Sequence, residues 1–191
     1  AHCEDDWTYM EDAILTARAE LAAKSGREWA KFDYLVHWFK IREFTEERYD
    51  TWLGPELRAI AEGYAEGITH FAASHPEKMP YLRLPVTGKD VIAGVLIKAP
   101  FFYELQDALL RMMDGSKGMV GKEGMVVLRA MQDNPFSRDL PIGSNAWAVG
   151  PSRSADGATR LAINSHMPWE GQVTWYEAQV HSEEGWDVIG A

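Results

Sequence analysis

The amino-acid sequence predicts an α+β fold, with helices in the first part of the chain and strands in the last. Up to about residue 109, apolar residues recur every three or four positions, which indicates helices with one buried face. After Gly143 apolar and polar residues alternate, as is typical of strands. The polar, proline-punctuated residues before Gly143 are typical of a linker. Helices followed by strands predict a layered helix-sheet architecture.

The bulk composition excludes several classes of function. Of the 191 residues, 46% are hydrophobic and 25% are charged, as in ordinary globular domains. The formal net charge of −10 argues against a nucleic-acid binder, which needs a basic face. No apolar run reaches the roughly 18 residues of a membrane span. Because Cys3 is the single cysteine, an internal disulfide and a thiolate metal cluster are excluded.

The first helices are predicted from periodicity and from residues that favour helix ends. One helix runs from Glu4 to about Lys24 and ends at Ser25-Gly26. A second runs from about Trp29 to Phe44. Thr45, which is followed by two glutamates, indicates the start of another element, since a hydroxyl cap and acids suit a helix N-terminus.

A third long helix begins at Gly54-Pro55, because proline is favoured in the first turn. It ends at Ser74-His75-Pro76, and residues 80–85 are predicted to be irregular and exposed. Its predicted buried face consists of Leu57, Ile60, Ala61, Tyr64, Ile68 and Phe71.

A further helix is predicted from the cap at residues 87–90 through about Leu109. Pro100 should kink or split it, because proline lacks an amide donor and clashes with the preceding turn. Such a kink would direct Phe101 and Phe102 toward a cleft; the alternative is that both pack in the core. The glycine-rich residues 114–124 lack the spacing of a phosphate loop.

Three segments after Gly143 are predicted to be strands, namely residues 145–150, 160–164 and 173–182, with a turn at Asp156-Gly157. This part also carries the most specific motifs of the chain. They are Gly143-Ser144-Asn145-Ala146-Trp147, Ser154-Ala155-Asp156-Gly157, Asn164 to Trp169, and Gly185 to Gly190.

These motifs, together with residues 1–6 and 64–68, resemble the penicillin acylase family of N-terminal-nucleophile hydrolases. That family includes acyl-homoserine-lactone and lipopeptide acylases. The resemblance implies a four-layer αββα sandwich, of which this chain would supply a part, truncated at both ends. It also implies a division into a helical light-chain portion (1–115), a linker or excised spacer (116–143) and the start of the heavy-chain sheet (144–191).

Ser144 is the candidate nucleophile that this resemblance implies. If the peptide bond after Gly143 is cut, Ser144 gains an α-amine that titrates at about 7.7–8.0 and can act as the general base for its own hydroxyl. Gly143 has no Cβ, so it tolerates a strained backbone and leaves its carbonyl open to attack. We therefore predict autoproteolysis between Gly143 and Ser144, followed by hydrolysis of a linear amide such as an N-acyl-homoserine lactone or a penicillin side chain.

The resemblance assigns further roles around the nucleophile. His166 would orient the α-amine or a bridging water through its carbonyl or its imidazole; the alternative is a strand-end histidine bonded to the backbone. Met167 and Trp169 would line an apolar acyl pocket, with core packing as the alternative for Trp169. Asn145 is assigned only support of the strand.

The expected partners are the small acyl-amide substrate and the remainder of the heavy chain, with no cofactor. The oxyanion-hole donors of the family lie beyond Ala191, so this fragment alone is expected to be inactive. Relatives indicate a periplasmic or secreted protein.

Two other interpretations remain open. A conventional triad could combine Ser144 and His166 with Asp156 or Asp187, although no Gly-x-Ser-x-Gly elbow surrounds the serine. A non-enzymatic acidic helical scaffold that recruits a partner is the second. No metal site is expected, because His70 and His75 are five residues apart on a helix and so face different sides.

Overall fold

The computed structural model describes residues 1–102, 143–166 and 174–190. The chain divides into two units, Ala1–Ser137 and Arg138–Ala191. In the described ranges the first unit is helical and the second contains the strands, so the prediction of an α+β fold is confirmed. The predicted boundary between residues 115 and 116 falls outside these ranges and stays a prediction.

The described part of the first unit is built from α-helices. They are α1 (His2–Ala17), α2 (Leu21–Ser25), α3 (Ala30–Trp38), α4 (Ile41–Trp52), α5 (Pro55–Ser74) and α6 (Gly88–Phe102), with a 3-10 turn, Arg27–Trp29, between α2 and α3. Helix α6 packs against α1, α4 and α5. None of the described helices is long and apolar enough to cross a membrane.

Two apolar clusters hold these helices together. The larger one joins α1, α5 and the segment that enters α6; it contains Cys3, Met10, Ile14, Ala65, Ile68, Phe71, Ala72, Met79, Leu82 and Val86. The smaller one joins the end of α1 to α3, α4 and α6 through Ala17, Val36, Ile41, Ala93 and Ile97. Because both clusters include side chains of α1 and of the region from residue 82 onward, sequence-distant segments close the core.

Two helices predicted as continuous are each interrupted by a residue with positive φ. Ala19 (φ 58°) separates α1 from α2, and Lys40 (φ 54°) separates α3 from α4. The predicted helix start at Thr45 is wrong. Thr45 lies inside α4, and its buried hydroxyl donates to the carbonyl of Ile41 at 2.8 Å. The left-handed backbone at Lys40, rather than a hydroxyl cap, sets the start of α4.

The predicted ends of α5 are confirmed, but its buried face is only partly as predicted. Ala61, Ile68 and Phe71 are buried, whereas the larger neighbours are exposed: Leu57 at 57%, Ile60 at 53% and Tyr64 at 40%. The buried side is completed by small residues, Ala65 and Ala72. The side of α5 that carries these small residues faces the core, and the larger apolar side chains lie on the outward side.

The predicted cap of α6 is confirmed as a reciprocal pair. The Thr87 amide donates to Asp90 Oδ2 at 2.9 Å, and the Asp90 amide donates to Thr87 Oγ1 at 3.4 Å. Helix α6 continues through Pro100, so the split expected there does not occur in the described helix. The side chains of Phe101 and Phe102 lie outside what the structure describes, so their role in a cleft stays a prediction.

The described strands of the second unit form two antiparallel hairpins. Strands β1 (Gly143–Val149) and β2 (Arg160–His166) pair with each other, as do β3 (Ala178–His181) and β4 (Asp187–Gly190). The predicted turn is present, with Gly157 at φ 72°. The third predicted strand is shorter than expected, since residues 174–177 are irregular, and β4 was not predicted. The four-layer sandwich remains an expectation from the family.

Candidate active site

The pairing of β1 with β2 brings the candidate catalytic residues to one end of a hairpin. Gly143 lies opposite His166, and Ser144 lies opposite Ser165. This is the open end of the hairpin, while the turn between the strands closes the other. The main chain of β2 therefore lies in the plane of the sheet beside the bond between Gly143 and Ser144.

The two faces of this hairpin separate the nucleophile from the imidazole. The amide of Asn145 donates through Nδ2 to His166 Nε2 at 3.2 Å, which places these two side chains on one face. Successive strand residues point to opposite faces, so the Ser144 hydroxyl belongs to the other. This geometry favours the main-chain carbonyl of His166, rather than its imidazole, as the group beside Ser144.

The same hydrogen bond defines the protonation pattern of the His166 ring. Because Nε2 accepts from Asn145, the ring proton of neutral imidazole is on Nδ1. Nδ1 is inaccessible to solvent and has no hydrogen-bond partner among the described residues. The Asn145 amide therefore holds the ring in place from the side of β1.

Apolar side chains line both faces of the hairpin. On the face of Ser144, Leu161 and Ile163 are 67% and 69% exposed, and on the opposite face Trp147 is 55% exposed. The predicted acyl-pocket residues Met167 and Trp169 lie outside the described residues, so that pocket stays a prediction.

The turn of the hairpin gives Asp156 a structural role. Asp156 accepts from the Arg160 guanidinium at 2.6 Å and from the Ala158 amide at 3.1 Å. The Arg160 guanidinium, with further hydrogen bonds from Ser154 and Ala158, holds the pKa of Asp156 well below its usual range. A strand of seven residues places this turn roughly 20 Å from His166, so Asp156 cannot complete a triad with Ser144.

Asp187, the other carboxylate considered for a conventional triad, lies on β4. Its Oδ1 is 3.8 Å from Nδ1 of His181, its opposite residue on β3. Asp187 is thus a cross-strand partner of His181 in the second hairpin. Within the described strands it makes no hydrogen bond to His166.

The first unit contains a polar cavity of about 620 Å³ that the sequence did not indicate. Its charged lining consists of Arg18, Arg42, Arg83 and Lys89 with Glu20, Glu46, Glu62 and Asp90. Most of these charges are paired with one another: Asp90 with Arg18 and Arg42, Glu20 with Arg83, and Glu46 with Lys89. The cavity therefore presents a balanced charge network rather than a site selective for one ionic sign.

Asn145, which was expected only to support the strand, makes a specific side-chain contact in the site. Its contact with His166 depends on the strand register, and alternation alone predicts only which face each residue shares. A hairpin folded symmetrically about Asp156-Gly157 would place Ser144 opposite Trp169. The 3-10 turn Pro151–Arg153 takes up residues on one side of the loop, so that Ser165 occupies that position.

Comparison with known proteins gives matches along the whole chain. The family model for penicillin amidase matches residues 1–191. The acyl-homoserine lactone acylase PvdQ of Pseudomonas fluorescens (strain Pf0-1) is 25% identical over 207 residues, covering 100% of this chain and 26% of that protein. The acyl-homoserine lactone acylase QuiP of Pseudomonas aeruginosa is 22% identical over 225 residues, covering 95% of this chain and 26% of that protein.

A shorter match is closer in sequence. The PvdQ protein of Pseudomonas putida is 47% identical over 49 residues, which is 26% of this chain and 6% of that protein. No solved structure matches. The chain thus spans about a quarter of the length of the first relatives, with 26% of each covered.

Proposed function

Because this chain belongs to the penicillin amidase family, we propose that the full-length protein is an acylase that hydrolyses a linear amide with Ser144 as its N-terminal nucleophile. The observation that carries this proposal is the position of Ser144 on β1, paired with Ser165 and one residue after Gly143. Strand pairing holds the hydroxyl and the main chain before it in one orientation, which lowers the entropic cost of attack.

The proposed maturation is an intramolecular displacement at the bond between Gly143 and Ser144. The Ser144 Oγ attacks the Gly143 carbonyl carbon, the C–N bond breaks, and the nitrogen takes the proton that the hydroxyl gives up. Water then hydrolyses the resulting ester, which leaves a carboxylate on Gly143 and both a free amine and a free hydroxyl on Ser144.

The proposed turnover uses the same hydroxyl a second time. The neutral α-amine of Ser144 accepts the hydroxyl proton while Oγ attacks the substrate carbonyl, and the leaving amine departs with that proton. Water hydrolyses the acyl-enzyme. An α-amine with a pKa of about 8 suits this exchange near neutral pH. In this scheme the main-chain carbonyl of His166 orients the amine.

The proposed substrate class follows from the activities for which the relatives are named. PvdQ and QuiP are named acyl-homoserine lactone acylases, so N-acyl-homoserine lactones are the first substrates to test, with penicillins as a second group. A periplasmic or secreted location is proposed on the same basis. The pocket residues Met167 and Trp169 belong to this proposal as the expected contacts of the acyl chain.

Replacing the nucleophile tests the proposal directly. In full-length protein carrying Ser144→Ala, we expect a single uncut chain and no amide hydrolysis, because no hydroxyl is available for either step. Intact mass and N-terminal sequencing should show two chains in the wild type, the second beginning Ser-Asn-Ala-Trp.

The matched control is Ser154→Ala, a serine in the turn at the far end of the same hairpin. This variant should be cut and active. A wild-type protein that is active as one uncut chain would refute the N-terminal nucleophile. A panel of N-acyl-homoserine lactones and penicillins with graded acyl length would then identify the preferred substrate.

A further inference from the structure

We propose that Asn145 is a positioning residue that holds the new N-terminus in register with β2 after the chain is cut. This inference rests on the proposed function, since it concerns the state in which Ser144 has become the first residue of its strand. It assigns a defined task to the hydrogen bond between Asn145 and His166, beyond general support of β1.

The position of this hydrogen bond suits a clamp. Asn145 lies opposite Asn164, so its bond to His166 is a diagonal that crosses the strand end next to Ser144. His166 itself lies opposite Gly143, on the other side of the proposed cut. The side-chain hydrogen bond therefore passes beside the proposed cut. It links Asn145, the residue after the new N-terminus, to His166 of β2, a strand that the cut leaves intact.

The need for a clamp appears only after cleavage. Before it, β1 includes Gly143, and the residue opposite His166 helps to hold the strand end. Afterwards Gly143 is a separate carboxyl terminus and Ser144 is a chain terminus, where paired strands fray most readily. Because the α-amine must reach its own hydroxyl and the substrate carbonyl, misplacement on the order of 1 Å costs about 100-fold in rate.

The hydrogen bond also sets an observable signature on His166. Donation from the Asn145 amide requires an unprotonated Nε2, which leaves the ring proton of neutral imidazole on Nδ1. In ¹⁵N spectra of histidine-labelled full-length protein, the His166 Nε2 resonance should lie at the position of an unprotonated nitrogen. Spectra of a His166→Gln variant assign that resonance.

The test compares two substitutions of Asn145 in the full-length protein. Asn145→Ala removes the bond; we expect complete cleavage before Ser144, faster hydrogen exchange in the peptide that begins at Ser144, and a kcat lower by about 10- to 100-fold at unchanged KM. Asn145→Asp keeps the length of the side chain, and its carboxylate accepts a hydrogen bond from a protonated Nε2 of His166. This variant therefore retains a cross-strand hydrogen bond. Its kcat, measured at the plateau of its pH profile, should be within a few-fold of wild type.

The outcomes separate a clamp from a general structural role. Asn145→Ala with wild-type kcat, or with unchanged exchange at Ser144, overturns the clamp, and so does equal loss of kcat in the Ala and Asp variants. Cleavage lost together with turnover in Asn145→Ala also overturns it, since the clamp acts after the cut. If wild-type protein has no chain beginning at Ser144, the proposed function itself fails, whereas a clamp that fails alone leaves that terminus in place.

Discussion

At the scale of single residues, Asp90 ties separate helices together with one buried carboxylate. Its side chain is 3% exposed and accepts from Arg18, the residue after α1, at 2.9 Å and from Arg42 of α4 at 2.7 Å. It also caps its own helix by accepting from the Thr87 amide at 2.9 Å. Burial alone would raise the pKa of Asp90, but the hydrogen bonds from Arg18, Thr87 and Arg42 together hold it well below its usual range.

Neutralising this carboxylate should destabilise the protein strongly. Asp90→Asn is expected to lower the free energy of unfolding by about 3 kcal/mol at pH 7, because it leaves the largely buried Arg18 without its counter-charge. The folded-state pKa is depressed, so the stabilisation by Asp90 is fully present above about pH 4 and is lost as the pH falls further. Urea unfolding between pH 7 and pH 2.5 should show that the difference in unfolding free energy between the wild type and Asp90→Asn decreases below pH 4.

Asp50→Asn is the matched control for this carboxylate. Asp50 is 73% exposed and lies 3.2 Å from Arg58, so its loss should cost less than about 1 kcal/mol. If Asp90→Asn lowers the free energy of unfolding no more than Asp50→Asn does, the stabilising role of the buried network is contradicted.

The part of this network that is local in sequence could be predicted, and the rest could not. A hydroxyl residue followed three positions later by an acid indicates a helix cap, as Thr87 and Asp90 confirm. The two arginines lie 48 and 72 positions from Asp90, and no sequence spacing indicates that the fold brings them together. The Asn145–His166 bond was missed for the same reason, since it depends on a register that only the loop conformation fixes.

At the scale of helices, the break between α3 and α4 depends on one exposed residue in a left-handed conformation. Lys40 has φ 54° and ψ 38°, where a Cβ costs about 1–2 kcal/mol relative to glycine. Because glycine adopts this conformation without strain, Lys40→Gly should stabilise the protein by about 0.5–1 kcal/mol, after the greater chain entropy of unfolded glycine is offset.

Thermal unfolding measures this gain as a Tm higher by a few degrees. Lys40→Ala is the control, because it removes the same charge and keeps the Cβ; it should not raise the Tm. Equal effects of the glycine and alanine variants would indicate that the lysine charge, rather than its backbone conformation, determines stability at this position.

Helix ends that carry a local signal were predicted from the sequence, and helix breaks without such a signal were missed. The ends of α5 carry Pro55 and Pro76, whose backbone preferences are local, and both were predicted. Nothing in the local pattern distinguishes Ala19 or Lys40 from ordinary helical residues, so the breaks after α1 and α3 were missed. The outward position of Leu57 was missed because alanines complete the buried side of α5, and hydrophobicity alone ranks leucine above alanine for burial.

At the scale of the whole molecule, the described strands expose large apolar side chains. Leu161, Ile163 and Ile189 are 67%, 69% and 69% exposed, and Trp186, just before β4, is 55% exposed. A two-stranded hairpin is only marginally stable in water, and apolar side chains exposed on both faces add to the cost. The full-length relatives are about four times as long as the matched region, which covers 26% of each.

We therefore expect residues 1–191 produced alone to bind the dye ANS more strongly than the full-length protein does. Limited proteolysis should cut within residues 143–190 before it cuts within residues 1–102, where the apolar clusters are closed. The double variant Leu161→Thr and Ile163→Thr should lower the dye fluorescence of the fragment. Equal dye binding by the fragment and the full-length protein would contradict the expectation that other parts of the protein cover these strands.

The short connection between β1 and β2 bears on when the surroundings of the proposed cleavage site first form during synthesis. Only the loop that holds Asp156 separates the two strands, so their pairing needs no residue after His166. Hairpins close in about 1–10 μs, whereas a ribosome adds about 5–20 residues each second. The pairing of β1 with β2 at Ser144 therefore forms and breaks many thousands of times before the ribosome adds the next residue. Parts of the polypeptide that are made later need only stabilise the paired state of this rapid equilibrium.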